Sequence, residues 1–335
     1  MCDEAIKKTY CFGENMKSFV SVIVPTFNSE KTIRDCLRSL SQQTIPHEII
    51  VVDGGSRDRT LSFIPNNVLV VLAPGNQAHA MNAGLNEARG SLVAFLDSDC
   101  VAPPKWLETM VKYSKSEVAV GSGNIVNPKD SLFSRLTWRA MGSLVGCGGT
   151  THARNFSHPR PLRLAPSYNS LYFKEVLLEL GGFDATLGGG EDVDMGERLL
   201  KKGYAIVYVP GAEVWHRGKE SVASFFRQMR GFGWSRGSLC KKNPRNLHLV
   251  HVLPFFLYAL IVFLVVWYPI ATIPILLVFL YYGVKFSILE RSIRALPLVF
   301  IVFPILFIGW PLGLVESIWR KTNRATDWTR KRHTK

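Results

Sequence analysis

The sequence predicts an α/β protein: a doubly wound, mostly parallel sheet followed by C-terminal transmembrane helices. Three observations predict it. Through the N-terminal third, short apolar runs alternate with amphipathic stretches, the spacing of parallel strands joined by crossover helices. The run Leu92-Val93-Ala94-Phe95-Leu96 has no polar face, as in a strand covered on both sides. From Val250 to Val315, Leu, Ile, Val, Phe, Trp and Tyr dominate, and stretches of about 17 or more apolar residues meet the length that crosses a bilayer.

Val20-Ser21-Val22-Ile23-Val24 is a strand ended by Pro25. Asn28 or Ser29 then caps a helix whose Ile33, Leu37 and Leu40 share a face. Glu48 to Val52 is a second strand, ending at Asp53 before the turn Gly54-Gly55-Ser56, and Val68 to Leu72 is a third. A helix through Met81, Leu85 and Ala88 stops at Gly90, and the Leu92 strand delivers Asp97 and Asp99. In a sheet of this kind Pro25-Thr26-Phe27-Asn28, Asp53 and Asp97/Asp99 fall at the carboxyl ends of strands, where open α/β sheets bind ligands.

Further on, a helix near Trp106 to Tyr113 and a strand at Val118 to Val120 precede a Gly-rich, basic stretch from Gly142 to Arg163. Its weak periodicity reads as a mobile loop on the acceptor side. A helix around Lys174 to Leu180 stops at Gly181-Gly182, and another from Val193 to Lys202 is preceded by Glu191-Asp192, favourable at a helix N-terminus. The organisation is therefore an N-terminal extension (1–17), an α/β domain (18–246), a transmembrane region of two or three helices (247–318) and a basic tail (319–335).

The chain has 335 residues and a formal net charge of +14. Basic residues cluster ahead of the apolar block, from Arg217 to Arg245, and again in the tail. Juxtamembrane positive charge is a topology and anionic-lipid signal, which places the α/β domain on the cytoplasmic side and argues against a nucleic-acid partner. The six cysteines form no close pair, which argues against a zinc knuckle or disulfide framework. No apolar leader region precedes the first strand. Tyr268-Pro269-Ile270 can be a turn between two short spans, or Pro269 and Pro274 can kink one long span. Length favours three segments, whereas two would return the basic tail to the cytoplasm.

Asp97 and Asp99, paired hard oxygen donors on a short turn, suit a divalent cation that also holds phosphate oxygens; a plain turn with a helix cap is the simpler alternative. Asp53 can accept hydrogen bonds from a base or ribose, or simply form its turn. Glu191-Asp192 follows Gly188-Gly189-Gly190, where a carboxylate can serve as general base for a hydroxyl nucleophile. His216 ends a strand at Val214-Trp215-His216 and is either structural or a metal or phosphate ligand. Arg227, Arg230 and Trp234 belong to an aromatic and basic stretch with several glycines, suited to a membrane interface or a diphosphate.

Together these residues resemble the inverting family 2 glycosyltransferases with a GT-A fold, over roughly Ser18 to Trp234. Val22-Ile23-Val24-Pro25-Thr26-Phe27-Asn28 is similar to the family's opening strand and nucleotide-binding turn, Val51-Val52-Asp53-Gly54-Gly55-Ser56 to its uracil-contacting strand end, and Asp97-Ser98-Asp99 to its metal and diphosphate motif. Gly181-Gly182-Phe183-Asp184 with Glu191-Asp192-Val193-Asp194 resembles the acceptor-side signature. The resemblance implies donor binding by Pro25, Thr26, Asn28, Asp53, Asn82 and Asp97, and a divalent cation (Mn or Mg) on Asp99 and His216. It implies Asp192 as the base, and Asn169, Glu191, Arg227, Arg230 and Trp234 toward acceptor and diphosphate.

Two departures stand out. Met81 occupies a position where Ala80-Met81-Asn82-Ala83-Gly84 would ordinarily carry arginine, and Arg227-Gln228-Met229-Arg230-Gly231 does not reproduce the Gln-x-x-Arg-Trp motif of processive synthases. The implied enzyme is a non-processive, metal-dependent hexosyltransferase in the cell membrane, multi-pass with a cytoplasmic catalytic domain. It would move a sugar from a nucleotide-sugar donor to a hydroxyl of a polyprenyl-linked glycan, with inversion, in cell-surface glycan or N-glycan precursor assembly. Polyprenyl phosphate is the alternative acceptor, but a phosphate needs no general base and Glu191-Asp192 supplies one. A nucleotidyltransferase would want a Gly- and Lys-rich loop after the first strand, which Pro25-Thr26-Phe27-Asn28 is not, and a dehydrogenase a Gly-x-Gly-x-x-Gly turn. A degenerate transferase scaffold draws its support from Met81.

Overall fold

The computed structural model describes residues 19–114, 118–147, 155–247 and 272–319, with scattered positions between 249 and 270. The N-terminal extension, nearly all of the basic tail, part of the Gly142 to Arg163 stretch and much of the first expected span lie outside the described residues.

In chain order the elements begin with β1 (Val20–Thr26), α1 (Ile33–Ser41), β2 (His47–Asp53), β3 (Leu69–Leu72), α2 (Gln77–Glu87), β4 (Leu92–Leu96) and β5 (Cys100–Val101). They continue with α3 (Trp106–Ser114), β6 (Ala119–Gly121), β7 (Asn124–Ile125), α4 (Leu132–Gly142), α5 (Leu144–Cys147), β8 (Arg160–Pro161) and β9 (Asn169–Phe173). Last come α6 (Lys174–Glu179), α7 (Glu191–Lys201), β10 (Ile206–Tyr208), β11 (Val214–His216), α8 (Val222–Lys242), α9 (Thr272–Glu290) and α10 (Ala295–Trp319). The described chain divides into two units, residues 19–125 with 155–216, and residues 126–147 with 217–319. Residues 126–147 and α8, expected within the α/β domain, fall in the second unit.

The first unit is built on an eight-stranded sheet of order β3-β2-β1-β4-β9-β6-β10-β8. β3, β2, β1 and β4 are parallel, whereas β9 runs antiparallel to both β4 and β6. A second sheet, β5-β11-β7, stands apart from the first. β4 explains its own apolar run: Val93 and Phe95 enter one core with Met81, Leu85 and Phe183, while Leu92, Ala94 and Leu96 enter the other with Leu37, Leu40 and Trp106. Alternate residues point to opposite faces, so both must be apolar. Gly84 lets α2 close on β1, since a Cβ there would stand 2.5 Å from Ile23 Cγ2.

Three sequence expectations are corrected here. Pro25 lies inside β1 rather than ending it; pairing with β4 stops at Ile23, so on that side its missing N–H breaks no ladder bond. Neither Asn28 nor Ser29 caps α1 with its side chain, and the N-cap is Thr32. Asn28 instead adopts φ 48°, a conformation its short polar side chain tolerates, and ties the loops after β1 and β2 together. Finally, α7 starts at Glu191, so Glu191 and Asp192 lie in its first turn and not ahead of it.

In the second unit α9 and α10 are long and apolar enough to cross a membrane. α8 and α10 approach through small residues: a side chain at Gly233 would collide with the Trp310 carbonyl, and one at Gly313 with that of Arg230. Close backbone approach at glycines is a membrane-helix packing mode. Glu290, at the end of α9, is held by Arg135 and Arg139 of α4.

Candidate active site

β1 and β2 end together, with Thr26 opposite Asp53, and β4, paired to the other side of β1, brings Asp97 to the same edge. The chain then turns, the Cys100 N–H donating to the Asp97 carbonyl at 2.9 Å, and enters β5. β5 pairs with β11 so that His216 stands opposite Cys100. That register sets His216 Nε2 3.1 Å from Asp99 Oδ1, with the Asp99 and His216 side chains 31% and 11% exposed. The Tyr168 ring lies against the imidazole, centroids 4.8 Å apart. Potential ligand atoms of Asp99, Cys100 and His216 fall within 4.8 Å of one another. Cys100, however, is fully buried among core side chains, and burial, then the charges of Asp99 and Asp97, hold its thiol well above the usual range. The reachable donors are a carboxylate oxygen and an imidazole nitrogen, a set that fits a divalent cation.

Of the residues expected from sequence to bind the donor, Thr26 and Asp53 end β1 and β2, Asp97 follows β4, and Asn82 lies within α2. Asp53 is buried, and its carboxylate accepts from the Gly55 N–H (2.9 Å), the Ser56 N–H (2.8 Å) and the Ser56 hydroxyl (2.5 Å), the arrangement of an Asx turn. Asn28 bridges the same turn, its N–H donating to Ser56 Oγ (2.8 Å) and its Oδ1 accepting from the Arg57 N–H (2.9 Å). Buried Thr26 donates to the Val24 carbonyl at 3.2 Å. Asn82 exchanges two bonds with the Phe183 backbone, 2.7 and 2.8 Å, and so holds the loop after α6. Met81 is fully buried in the core with Leu85, Phe95 and Phe183.

On the acceptor side α7 begins after Gly190, whose φ of 81° a residue with a Cβ would adopt only under strain. Asp192 is half-buried, its Oδ1 accepting from the Val193 N–H at 2.8 Å. Glu191 is 6% exposed. Burial above all, then the charge of Asp192 and more distantly that of Asp97, pushes its carboxyl up to about 8, so it is protonated at neutral pH. A carboxyl raised in the folded state favours folding most when protonated, and that contribution is lost as pH climbs from the ordinary 4.5 through about 8. Glu191→Gln should therefore flatten the fall of melting temperature with rising pH across this window, as thermal melts would show.

Asn169 is a structural brace in this fold. It is fully buried; its Oδ1 accepts from Trp106 Nε1 (2.8 Å) and its Nδ2 donates to the Gly123 (3.0 Å) and Ala212 (2.9 Å) carbonyls. Both amide hydrogens are in use, so Asn169 ties α3, β9 and the loops before β7 and β11 together. Asn169→Ala strands three buried polar groups and should cost about 2–4 kcal/mol of stability in a denaturation experiment. Arg227, Arg230 and Trp234 lie on α8 in the second unit. Arg230 makes a two-point ion pair with Glu316 (2.6 and 2.7 Å), Trp234 is 2% exposed, and Arg227 is exposed.

Three polar residues not singled out from the sequence bind the site together. Asn76 caps α2, accepting from the His79 N–H, and donates to the Ala185 (2.8 Å) and Leu187 (2.7 Å) carbonyls. Gln77 donates to Asp97 at 3.1 Å and to Ser167 at 3.3 Å, and Ser167 is near enough to Glu191 to favour its ionised form. Only the cap was readable, as an Asn preceding an apolar-periodic stretch; the other contacts exist only once the fold has formed.

Residues 21–181 match the family model described as Glycosyl transferase family 2. The chain is 28% identical to glycosyltransferase AglE of Haloferax volcanii over 57% of this chain and 64% of that protein, just under two thirds of the relative's length. It is 26% identical, over 73% of this chain and 80% of the other, to a Methanococcus voltae enzyme. That relative is named dolichyl N-acetyl-alpha-D-glucosaminyl phosphate 3-beta-D-2,3-diacetamido-2,3-dideoxy-beta-D-glucuronosyltransferase. Among solved structures, the mannosyltransferase PcManGT of Pyrobaculum calidifontis, in complex with GDP-Man and Mn2+, superposes with a TM-score of 0.57 at 18% identity, covering 91% of this chain and 88% of that one. With its mixed sheet and the carboxylates on one edge, the chain carries a glycosyltransferase family 2 domain of the GT-A fold.

Proposed function

We propose that the protein is an inverting, non-processive hexosyltransferase that moves a sugar from a nucleotide-sugar donor to a hydroxyl of a polyprenyl-linked glycan at the cell membrane. One observation carries the reading. Two carboxylate groups of different character converge on one edge: Asp97/Asp99 beside His216, and Glu191/Asp192 at the start of α7, close enough for the charge of Asp97 to act on Glu191. The apolar α9 and α10 suit an acceptor carried on lipid, and the Methanococcus voltae relative is named for a dolichyl-linked sugar.

In this reading Asp192 takes the proton of the acceptor hydroxyl while its oxygen forms the new bond to the anomeric carbon. The bond from that carbon to the diphosphate breaks on the opposite face, and the leaving oxygen keeps the electron pair. Glu191, neutral beside Asp192, leaves the pair with a single negative charge. Asp99 and His216 would hold Mn2+ or Mg2+, which when bound neutralises charge on the diphosphate. Asp97 supports the ribose or the cation, and Pro25, Thr26, Asn28 and Asp53 frame the nucleotide.

The test is turnover by detergent-purified protein across UDP-, GDP- and dTDP-sugars, with and without Mn2+ or Mg2+, offered a polyprenyl-diphosphate glycan or bare polyprenyl phosphate. Metal-dependent transfer of one sugar to the glycan supports the proposal. Transfer to the bare phosphate favours the polyprenyl-phosphate enzyme instead, and failure to bind any nucleotide sugar favours a degenerate scaffold.

A further inference from the structure

We infer that Gln77 is a positioning residue that couples the donor-side carboxylate Asp97 to the acceptor-side pair Glu191–Asp192. The inference rests on the transferase reading above. Gln77 opens α2, and its Nε2 donates to Asp97 Oδ1 at 3.1 Å and to Ser167 Oγ at 3.3 Å. Ser167 in turn lies close enough to the Glu191 side chain to favour its ionised form. A primary amide nitrogen has two hydrogens, and here each goes to a different half of the site.

The seat of this side chain is rigid. Immediately before it Asn76 holds the Ala185 and Leu187 carbonyls at 2.8 and 2.7 Å, and farther along α2 Asn82 holds the Phe183 backbone. The loop so anchored runs through Gly188-Gly189-Gly190 directly into Glu191. α2 therefore fixes the acceptor loop through its asparagines and the Asp97 carboxylate through Gln77.

The residue type matters. Asp97, Glu191 and Asp192 are all acidic, and the charges of Asp192 and Asp97 oppose ionisation of Glu191. A neutral amide donates to Asp97 without bringing a charge of its own, and a bond to an ionised carboxylate is among the stronger ones. A lysine here would neutralise Asp97, and a glutamate would add to the repulsion. Glutamine orients the carboxylate and leaves its charge intact.

The experiment compares wild type, Gln77→Leu, Ser167→Ala and the double variant by kcat, donor KM, Mn2+ binding followed by electron paramagnetic resonance, and thermal melting. Gln77→Leu should lower kcat about 10- to 100-fold, the usual scale for a lost bond to a charged group, with a smaller change in donor KM. Its Mn2+ midpoint should rise several-fold while its melting temperature stays near wild type. Ser167→Ala should lose less, and the double variant should be no worse than Gln77→Leu, because both cut one chain of contacts. Wild-type kcat and Mn2+ midpoint in Gln77→Leu, strictly additive losses, or a loss matching only the unfolded fraction would each overturn the inference. If the wild type transfers no sugar, the transferase reading fails separately. Mn2+ binding then decides the coupling: an unchanged midpoint in Gln77→Leu overturns it, and a raised one supports it.

Discussion

Asp192→Asn should abolish sugar transfer while leaving donor binding nearly intact. Asparagine keeps the size of the side chain and an Oδ1 that can still accept from the Val193 N–H, now 2.8 Å away, so the first turn of α7 should persist. What disappears is the ability to take a proton. Loss of a positioned general base ordinarily costs about 10²–10⁴-fold, and the loss should appear in kcat, with the donor dissociation constant measured by calorimetry changing only a few-fold. Glu191→Gln is the informative control. Glu191 is already protonated at neutral pH because burial and Asp192 push it up to about 8, so exchanging it for a neutral amide should cost much less. Equal losses in the two variants would mean that the roles within the pair are wrongly divided.

Asp99→Ala should have the second large effect, and it should act on the cation. Of the described potential ligands near β5, Asp99 Oδ1 and His216 Nε2 stand 3.1 Å apart on side chains that are 31% and 11% exposed, while Cys100 is sealed in the core. Removing the carboxylate leaves one imidazole. The Mn2+ activation midpoint should rise by more than the roughly 10- to 100-fold that loss of an outer-shell partner costs, and turnover at ordinary Mn2+ should vanish. Activity that survives in Asp99→Ala with an unchanged Mn2+ midpoint would move the cation elsewhere.

The parallel half of the sheet was legible because β1, β2 and β4 carry the apolar runs Val22-Ile23-Val24, Ile49-Ile50-Val51-Val52 and Leu92-Val93-Ala94-Phe95-Leu96, of the kind that strands covered on both faces show. β9, which enters antiparallel between β4 and β6, announces nothing in its sequence about direction or neighbours. The small sheet is built of pieces two or three residues long, too short for periodicity; yet it is this sheet that sets His216 beside Asp99. Asp97, Asp99 and the Glu191–Asp192 pair stood out as acidic residues at chain turns. Gln77 and Ser167 did not have roles that could be read, and of Asn76 only the cap was legible, because an amide or hydroxyl acquires meaning only from the partner that folding brings to it. Asn169 is an example: its bonds to Trp106 and to the Gly123 and Ala212 carbonyls, made while fully buried, have no signal in the sequence.

The most direct test of the central claim is the anomeric configuration of the product. With the donor that supports turnover and its polyprenyl-linked acceptor, the one-bond ¹H–¹³C coupling at the anomeric carbon of the newly transferred sugar distinguishes the two outcomes. A single displacement assisted by Asp192 predicts inversion, a β-linked product from an α-linked donor, and its loss in Asp192→Asn. An α-linked product from the same donor would contradict it.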